Sequence, residues 1–511
     1  MAHLSGFGLE NFRVFKEYTW FDFAPITLLV GPNNSGKSSL IKALLLLKDN
    51  YLMRNIPVNT DYFNTRVFTD NEDFSFNMGN VHGIMSIKDI LPHGDESLKV
   101  VFKFPFADDY LFSENLELCF SYRIENGKLV SNLAFKLTSS LGNIISMNFE
   151  DNTLLLNLDN LLPVIRNGSS VNQEEFDIFR INKPDKENLL FWDEYKQVYK
   201  TNVSKVSLKF IDVIEIEGYQ RHISMTILEA VEIACLSIPC NDSKVLAKNI
   251  IDTLSLKDFY PVFESLAFRS SYVPPYKASP KRFLDWHSDV SSIGNLLREI
   301  KFQRSSEGDV DIGYSVWLDF MDKWEGKFNL PGKINWVSDA ELGITKIKIG
   351  DNFLSNLGFG LSQITAIFLG ILELNDSIMS PRRGSSNKAG GILFLEEPEA
   401  NLHPKYQSLL ADMFAEANKE FYNQFLIETH SEYMIRKFQY LVAKGEMKPE
   451  DVVIYYFHDP NDIPKGEKHV KKITILDDGS LSDDFGPGFF DEAANLELEL
   501  LKLKRSKARQ N

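Results

Sequence analysis

Four side chains suited to moving a phosphoryl group recur in order along this chain: Lys37, Glu396, Glu397 and His430. Lys37 lies in Gly31-Pro-Asn-Asn-Ser-Gly-Lys-Ser38, which fits G-x-x-x-x-G-K-[ST]. Gly31 and Gly36 let the backbone curl closely around an anion, and the freed N–H groups face it. Lys37 then reaches the terminal phosphates of a triphosphate, and the Ser38 hydroxyl holds Mg²⁺. Glu396 and Glu397 end the apolar run Gly391-Ile-Leu-Phe-Leu395. Two acids at the end of a buried strand are costly unless a cation waits there. Glu396 therefore reads as the Mg²⁺ acid and Glu397 as the group that polarises the attacking water. His430 closes a second apolar run, Gln424-Phe-Leu-Ile-Glu-Thr. It stands at the sheet edge where ligands bind in α/β folds, placed to sense a γ-phosphate.

The surrounding pattern supplies the elements that must hold these groups. Pro25-Ile-Thr-Leu-Leu-Val30 reads as a buried parallel strand and Ser39–Leu47 as the helix that follows the loop. Residues 4–24 alternate as a hairpin leading into that strand. Val100–Phe104, Leu116–Arg123 and Leu154–Leu158 read as strands of an antiparallel sheet, with turns at Glu125–Gly127 and Glu150–Asn152. Residues 165–265 read as a mainly helical insertion, with a helix over Ile223–Cys235 and a cap at Asn241–Ser243. Phe268–Pro275 returns to a buried strand, Ser288–Gln303 reads as a helix and Gly343–Ile349 as a strand. Ser355-Asn-Leu-Gly-Phe-Gly-Leu-Ser-Gln363 precedes an apolar helix beginning at Ile364 and reads as a second anion-binding helix entry, with Ser355, Gly358, Gly360 and Ser362 as its donors. Two such entries in one chain suggest a nucleotide held between two copies. His403 stands at a loop position after the twin acids and reads equally as a locally satisfied histidine.

Bulk properties bound the class. The chain has 511 residues, enough for several domains' worth of core, with 44% hydrophobic residues and a mean hydropathy of −0.18. A formal charge of −16 excludes a surface basic throughout, and the basic run Leu501–Asn511 stands apart from that balance. Three cysteines without metal spacing, no signal pattern and no bilayer-length apolar run predict a cytoplasmic, membrane-free protein.

The order of phosphate loop, glycine-serine signature, twin acids and strand-end histidine resembles the ABC-type ATPase heads of the SMC and RecF group. Leu395-Glu-Glu-Pro-Glu-Ala-Asn-Leu-His-Pro404 and Ile427-Glu-Thr-His-Ser-Glu432 are similar to the bacterial branch related to OLD-family ATPases. That branch includes the ATPase subunits of anti-phage systems such as Septu and PARIS. Phe485-Gly-Pro-Gly-Phe-Phe-Asp-Glu492 resembles a short C-terminal element of further members. The resemblance implies an α/β ATPase head with a mixed parallel core sheet, an antiparallel sheet and a helical insertion. Its lobes are 1–164 and 266–495, with a basic tail at 496–511. It implies ATP and Mg²⁺ as cofactors. Gly31, Asn33, Asn34, Ser35, Gly36, Lys37, Ser38 and Ser39 would bind nucleotide, and Ser38 and Glu396 the metal. Glu397, His430 and Lys37 would serve catalysis, and Ser355–Gln363 would act in trans across a homo-oligomer.

Two departures stand out. No glutamine lies between Ser39 and Asn172 to serve as the usual Mg²⁺ ligand, which leaves Asn80 or His82 as substitutes, and the signature reads Leu-Gly-Phe-Gly-Leu-Ser-Gln. About 80 residues follow His430. They offer two strands, Asp451–Phe457 and Lys471–Leu476, and a charged turn at Asp477 and Asp478 that reads as a hairpin and not as a nuclease. The expected function is the ATP-hydrolysing sensor and scaffold of a two-component anti-phage system. Its separate HNH- or Toprim-like nuclease or toxin would answer to a phage protein or DNA. The alternative is a RecF-like ATPase that binds DNA itself, with the basic tail as its supporting charge.

Overall fold

The computed structural model describes residues 4–49, 97–105, 115–125, 128–139, 142–148, 153–157, 205–209, 211–216, 219–224, 270–273, 284–285, 312–339, 344–374, 390–486 and 489–510. The chain divides into two compact units. One comprises Met1–His3, Phe23–Leu45 and Ser265–Asn511, the other Leu4–Asp22 and Leu46–Glu264.

The second unit is built of antiparallel strands. β1 (Gly6–Glu10) and β2 (Thr19–Asp22) form the expected hairpin. β4 (Ser97–Pro105), β5 (Asn115–Glu125), β6 (Lys128–Ser139), β7 (Gly142–Asn148), β8 (Thr153–Asn157) and β9 (Lys205–Lys209) extend it to eight strands in the order β2-β1-β4-β5-β6-β7-β8-β9. β10 (Ile211–Ile216) and β11 (Tyr219–Ser224) form a separate antiparallel pair.

The described part of 165–265 thus differs from the helical expectation: residues 205–209, 211–216 and 219–224 are strands, and the helix expected from Ile223 begins inside β11. Lys205-Val-Ser-Leu-Lys209 and Ile211-Asp-Val-Ile-Glu-Ile216 carry near-period-2 apolar residues, and strand partners favour that period over a helical one. The expected turn-rich stretch 55–83, Asn80, His82, the cap at Asn241–Ser243 and the helix at Ser288–Gln303 lie outside the described residues, as do the centres of the two expected turns.

The first unit carries the chemistry. Its core sheet has the order β12 (Ser270–Val273), β17 (Ile392–Glu396), β18 (Gln424–Glu428), β3 (Ile26–Val30), β19 (Val452–Phe457), β20 (Val470–Thr474). The first five are parallel, and β20 closes the edge antiparallel to β19. β3, β17, β18 and β19 are buried along their whole length, as unbroken apolar runs require when both sheet faces are covered. β19 and β20 fall at the two strands expected near the C-terminus and pair antiparallel, the charged turn at Asp477 and Asp478 follows β20, and β19 also pairs with β3 beside the phosphate loop.

Among the described residues the α-helices are α1 (Lys37–Asp49), α2 (Ile312–Lys327), α3 (Phe359–Leu374), α4 (Pro404–Phe421), α5 (Glu432–Ala443) and α6 (Glu492–Gln510). α2 and α4 join through aromatic rings: Trp317 stacks on Phe421 at 5.9 Å between centroids, and Phe320 meets the same ring at 5.2 Å. A smaller antiparallel sheet in this unit links β13 (Leu284–Asp285), β14 (Ile334–Asp339), β15 (Ile344–Ile349) and β16 (Asn352–Phe353). His403 proves to be the N-cap of α4, accepting from the Lys405 N–H at 3.2 Å ahead of Pro404. Residues 496–510 of the basic tail lie in α6.

Candidate active site

Strand order decides what meets at the sheet's C-terminal edge. β18 lies between the phosphate-loop strand β3 and the twin-acid strand β17, so Glu428 at its end stands between loop and acids. Glu396 and Glu428 are partners in the parallel ladder. The Ser38 hydroxyl donates to Glu428 Oε2 at 2.6 Å, and Lys37 Nζ lies 3.8 Å from Glu428 Oε1. Lys37 also donates to the carbonyls of Gly31 (3.0 Å) and Pro32 (2.7 Å). Sequence reasoning passed over Glu428, because its role depends on which strand it ends and on what that strand separates.

The loop has the geometry its glycines imply. Gly31 has φ +139°, and a Cβ there would overlap the Phe457 carbonyl of β19. Asn34 is left-handed at φ 63°, a conformation that asparagine tolerates. The Ser35 carbonyl is held by His469 Nε2 at 2.8 Å. Burial keeps His469 below the usual imidazole range, so its neutral ring donates to that carbonyl.

Glu397 follows β17 in a left-handed conformation, φ 48°, with its N–H donating to the Glu428 carbonyl at 2.8 Å. A non-glycine residue in this region is strained and persists because the structure around it holds it there. The Glu399 carboxylate accepts from the His430 N–H at 2.7 Å and so fixes the histidine's backbone. Ser431 then caps α5 by accepting from the Met434 N–H at 3.1 Å. One donor atom each from Glu397, Glu428 and His430 lies within 4.8 Å of the others. Gly31, Pro32, Asn33, Glu397, Glu399, Ala400, His430, Tyr456 and Phe489 line one cavity of about 500 Å³. The structure therefore brings the loop, the second acid and the strand-end histidine together, as their order in the chain implies.

Burial dominates the electrostatics of the acids. Burial raises Glu396 above the usual carboxylate range, the Glu428 charge adds to this, and a hydrogen bond from Tyr272 opposes it. Burial likewise raises Glu428, against the Ser38 hydroxyl and Lys37. Burial raises Glu399, against the His430 N–H. Burial lowers Lys37, which the charges of Glu428 and Glu397 partly offset. His430 is lowered by burial and by Lys37. Glu396 Oε1 is buried with no hydrogen-bond partner. Adjacent buried carboxylates with an orphaned oxygen, next to a serine hydroxyl, match the all-oxygen donor set that Mg²⁺ prefers. Ser38 and Glu396 would hold the ion, with Glu428 positioning the serine.

The signature segment differs from expectation. α3 begins at Phe359, so Gly360 and Ser362 lie inside its first turn. Ser362 is buried, its hydroxyl 3.5 Å from the carbonyls of Leu354 and Gly358, and it is not presented outward. A Cβ at Gly360 would come within 3.0 Å of the Asn401 carbonyl and of Leu402. Gly360 thus serves the close approach of the loop after the twin acids. Gly358 is exposed, and the Ser355 backbone lies in a 3₁₀ turn, Leu354–Asn356.

Residues 3–435 match the model of a protein family described as AAA ATPase domain. The chain belongs to that family. This AAA-type ATPase matches a second family over residues 447–500, described as a protein of unknown function (DUF3696). Tyr456, His469 and Phe489 of the site fall in that second stretch. No curated protein sequence is significantly similar to the ATPase. Among solved structures it is similar to the Smc head domain of Pyrococcus furiosus bound to the C-terminal domain of ScpA, at 13% identity and TM-score 0.37, covering 97% of this chain and 99% of that one. The SMC head domain from Thermotoga maritima gives 12%, 0.28, and coverages of 89% and 96%. The recombination mediator RecF gives 13%, 0.34, and again 89% and 96%. The ATPase's α/β fold follows from its own strands and helices. Among the described residues no helix is long and apolar enough to cross a membrane.

Proposed function

We propose that this ATPase is the nucleotide-driven sensor and scaffold of a two-component bacterial anti-phage system, controlling a separate nuclease or toxin subunit. The observation that carries the catalytic part is the cavity shared by Gly31, Pro32, Asn33, Glu397 and His430. Backbone N–H groups of the loop hold the β-phosphate, and Lys37 leaves the Gly31 and Pro32 carbonyls to reach the terminal phosphates. Glu397, fixed by its backbone bond to β18, accepts the proton of the attacking water as the bond from the γ-phosphorus to the bridging oxygen breaks. His430, held neutral by burial and Lys37, contacts the γ-phosphate and reports its loss. Mg²⁺ at Ser38 and Glu396 would supply charge neutralisation for the transferring phosphoryl group.

The exposed start of α3, with Gly358 open to solvent and Phe359 55% exposed, supports a trans contact to nucleotide on another copy. The defence role rests on the motif resemblance. It is tested by expressing the chain with its neighbouring reading frames in a susceptible bacterium. Phage plating should fall with the wild type and recover with Lys37→Ala; equal plating in both would overturn the defence reading. The exposed Lys502, Lys504 and Arg505 on α6 favour a second reading, direct DNA binding in the manner of RecF. Salt-dependent retention of DNA by the isolated protein would support it.

A further inference from the structure

The final helix, α6, carries a stripe of exposed leucines. Leu496, Leu500 and Leu503 are each 56–57% exposed and recur at spacings of four and three, along one side of a 19-residue helix. The helix is also divided by charge: Glu492, Glu497 and Glu499 are followed by Lys502, Lys504 and Arg505, all exposed. Taking Leu496 and Leu503 as heptad d and Leu500 as a places Glu497 and Lys504 on the same flank of the stripe, one heptad apart.

We infer that α6 pairs with α6 of a second copy of this chain, antiparallel, about a two-fold axis between Leu500 and Leu503. Leu500 of each copy then faces Leu503 of the other, and Glu497 of each flanks Lys504 of the other, so the charge match occurs twice. Parallel pairing in register instead sets Glu492 against Glu497 twice, like-charge contacts that offset the two Glu499–Lys504 matches it makes. Charge complementarity therefore selects both the occupant and its direction.

The helix is also anchored to the unit that holds the site. Phe485 and Phe489 pack on Tyr456 at 5.8 and 6.0 Å, Arg436 lies over Phe490 at 5.0 Å, and a Cβ at Gly486 would overlap the Tyr456 hydroxyl. Because Phe489 and Tyr456 line the phosphate cavity, the pairing joins two sites through their C-terminal segments and needs no nucleotide. It is thus separate from the trans contact made by α3.

The test is the mass of the full-length chain by sedimentation equilibrium without nucleotide. A concentration-dependent dimer is expected. Leu500→Ser with Leu503→Ser should abolish it while circular dichroism stays unchanged, since both side chains face solvent. Glu497→Lys alone and Lys504→Glu alone should each shift the chain toward monomer, and the two together should restore the dimer. Direction is read from disulfide capture against the parent chain. The two-fold sets copies of residue 496 about 16 Å apart along the helix, too far for a disulfide, and those of residue 500 within about 5 Å. Leu500→Cys should cross-link and Leu496→Cys should not. A monomer at all concentrations, no rescue by the charge swap, efficient capture by Leu496→Cys, or leucine substitutions that alter only DNA retention would each overturn the assignment.

Discussion

Glu428 is the residue on which the site turns, although the run that contains it, Ile427–Glu432, gives it no role until the strand order is known. It takes the Ser38 hydroxyl at 2.6 Å and lies in the field of Lys37, between the phosphate loop and Glu396. Replacing it with glutamine keeps the shape and removes the charge that orients the serine. Glu428→Gln is expected to weaken Mg²⁺-dependent nucleotide binding about 10- to 100-fold, the usual cost of losing a group that orients a metal ligand. Titration calorimetry with and without Mg²⁺ measures this, and unchanged affinity would remove Glu428 from the site. The phosphate loop, the twin acids and His430 were legible in sequence because each sits in a short run whose flanks declare strand, turn and helix. Glu428 and Glu399 were not. Their partners lie 390 and 31 residues away, and only the strand order and the turn after β17 bring them together.

At the scale of elements, the phosphate loop is shaped by β3 and α1 and clamped from the C-terminal part of the chain. His469 holds the Ser35 carbonyl, and the Phe457 carbonyl leaves no room for a side chain at residue 31. His469→Ala should lower the unfolding free energy by about 1–3 kcal/mol, the cost of leaving a buried carbonyl unpaired. Its titration has a definite sign. The folded pKa is depressed below the unfolded value, so the folded protein binds fewer protons and the stability His469 contributes is fully present above about pH 6.5. It is lost as pH falls from there toward the folded pKa. Urea denaturation at several pH values in that window should show a slope that flattens in His469→Gln; identical slopes would contradict the assignment.

Gly31→Ala should cost at least roughly 1–3 kcal/mol from backbone strain, before the overlap with β19 is counted, and abolish nucleotide binding. The helix at the signature begins at Phe359, five residues before the expected Ile364. Glycines at 358 and 360 lower helix propensity, but the approach of the Asn401 carbonyl requires one of them inside the helix.

For the whole molecule, the sheet order explains more than any motif does. Putting β18 between β3 and β17 gathers three acids, a lysine and a histidine at one edge, and β19 and β20 extend that sheet so that residues 447–500 contribute to its cavity. The parallel core and the first antiparallel strands could be read from apolar periodicity. β9, β10 and β11 could not, because their period-2 runs are only five or six residues long and lie among charged, helix-favouring segments. If nucleotide bridges two copies through α3, Glu397→Gln with Mg²⁺ and ATP should accumulate a larger assembly than either ligand-free protein or Lys37→Ala, as light scattering would show. No change in mass on adding ATP would sink the trans contact.

Central to the proposed function is one cavity that binds Mg²⁺–ATP through Lys37 and hydrolyses it through Glu397. Phosphate release and equilibrium nucleotide binding, measured side by side on the wild type, Lys37→Ala and Glu397→Gln, test it directly. The wild type should turn over only with Mg²⁺, Lys37→Ala should fail to bind, and Glu397→Gln should bind normally while its turnover falls by about 10²- to 10⁴-fold. Hydrolysis by Glu397→Gln at the wild-type rate, or full binding by Lys37→Ala, would contradict the account.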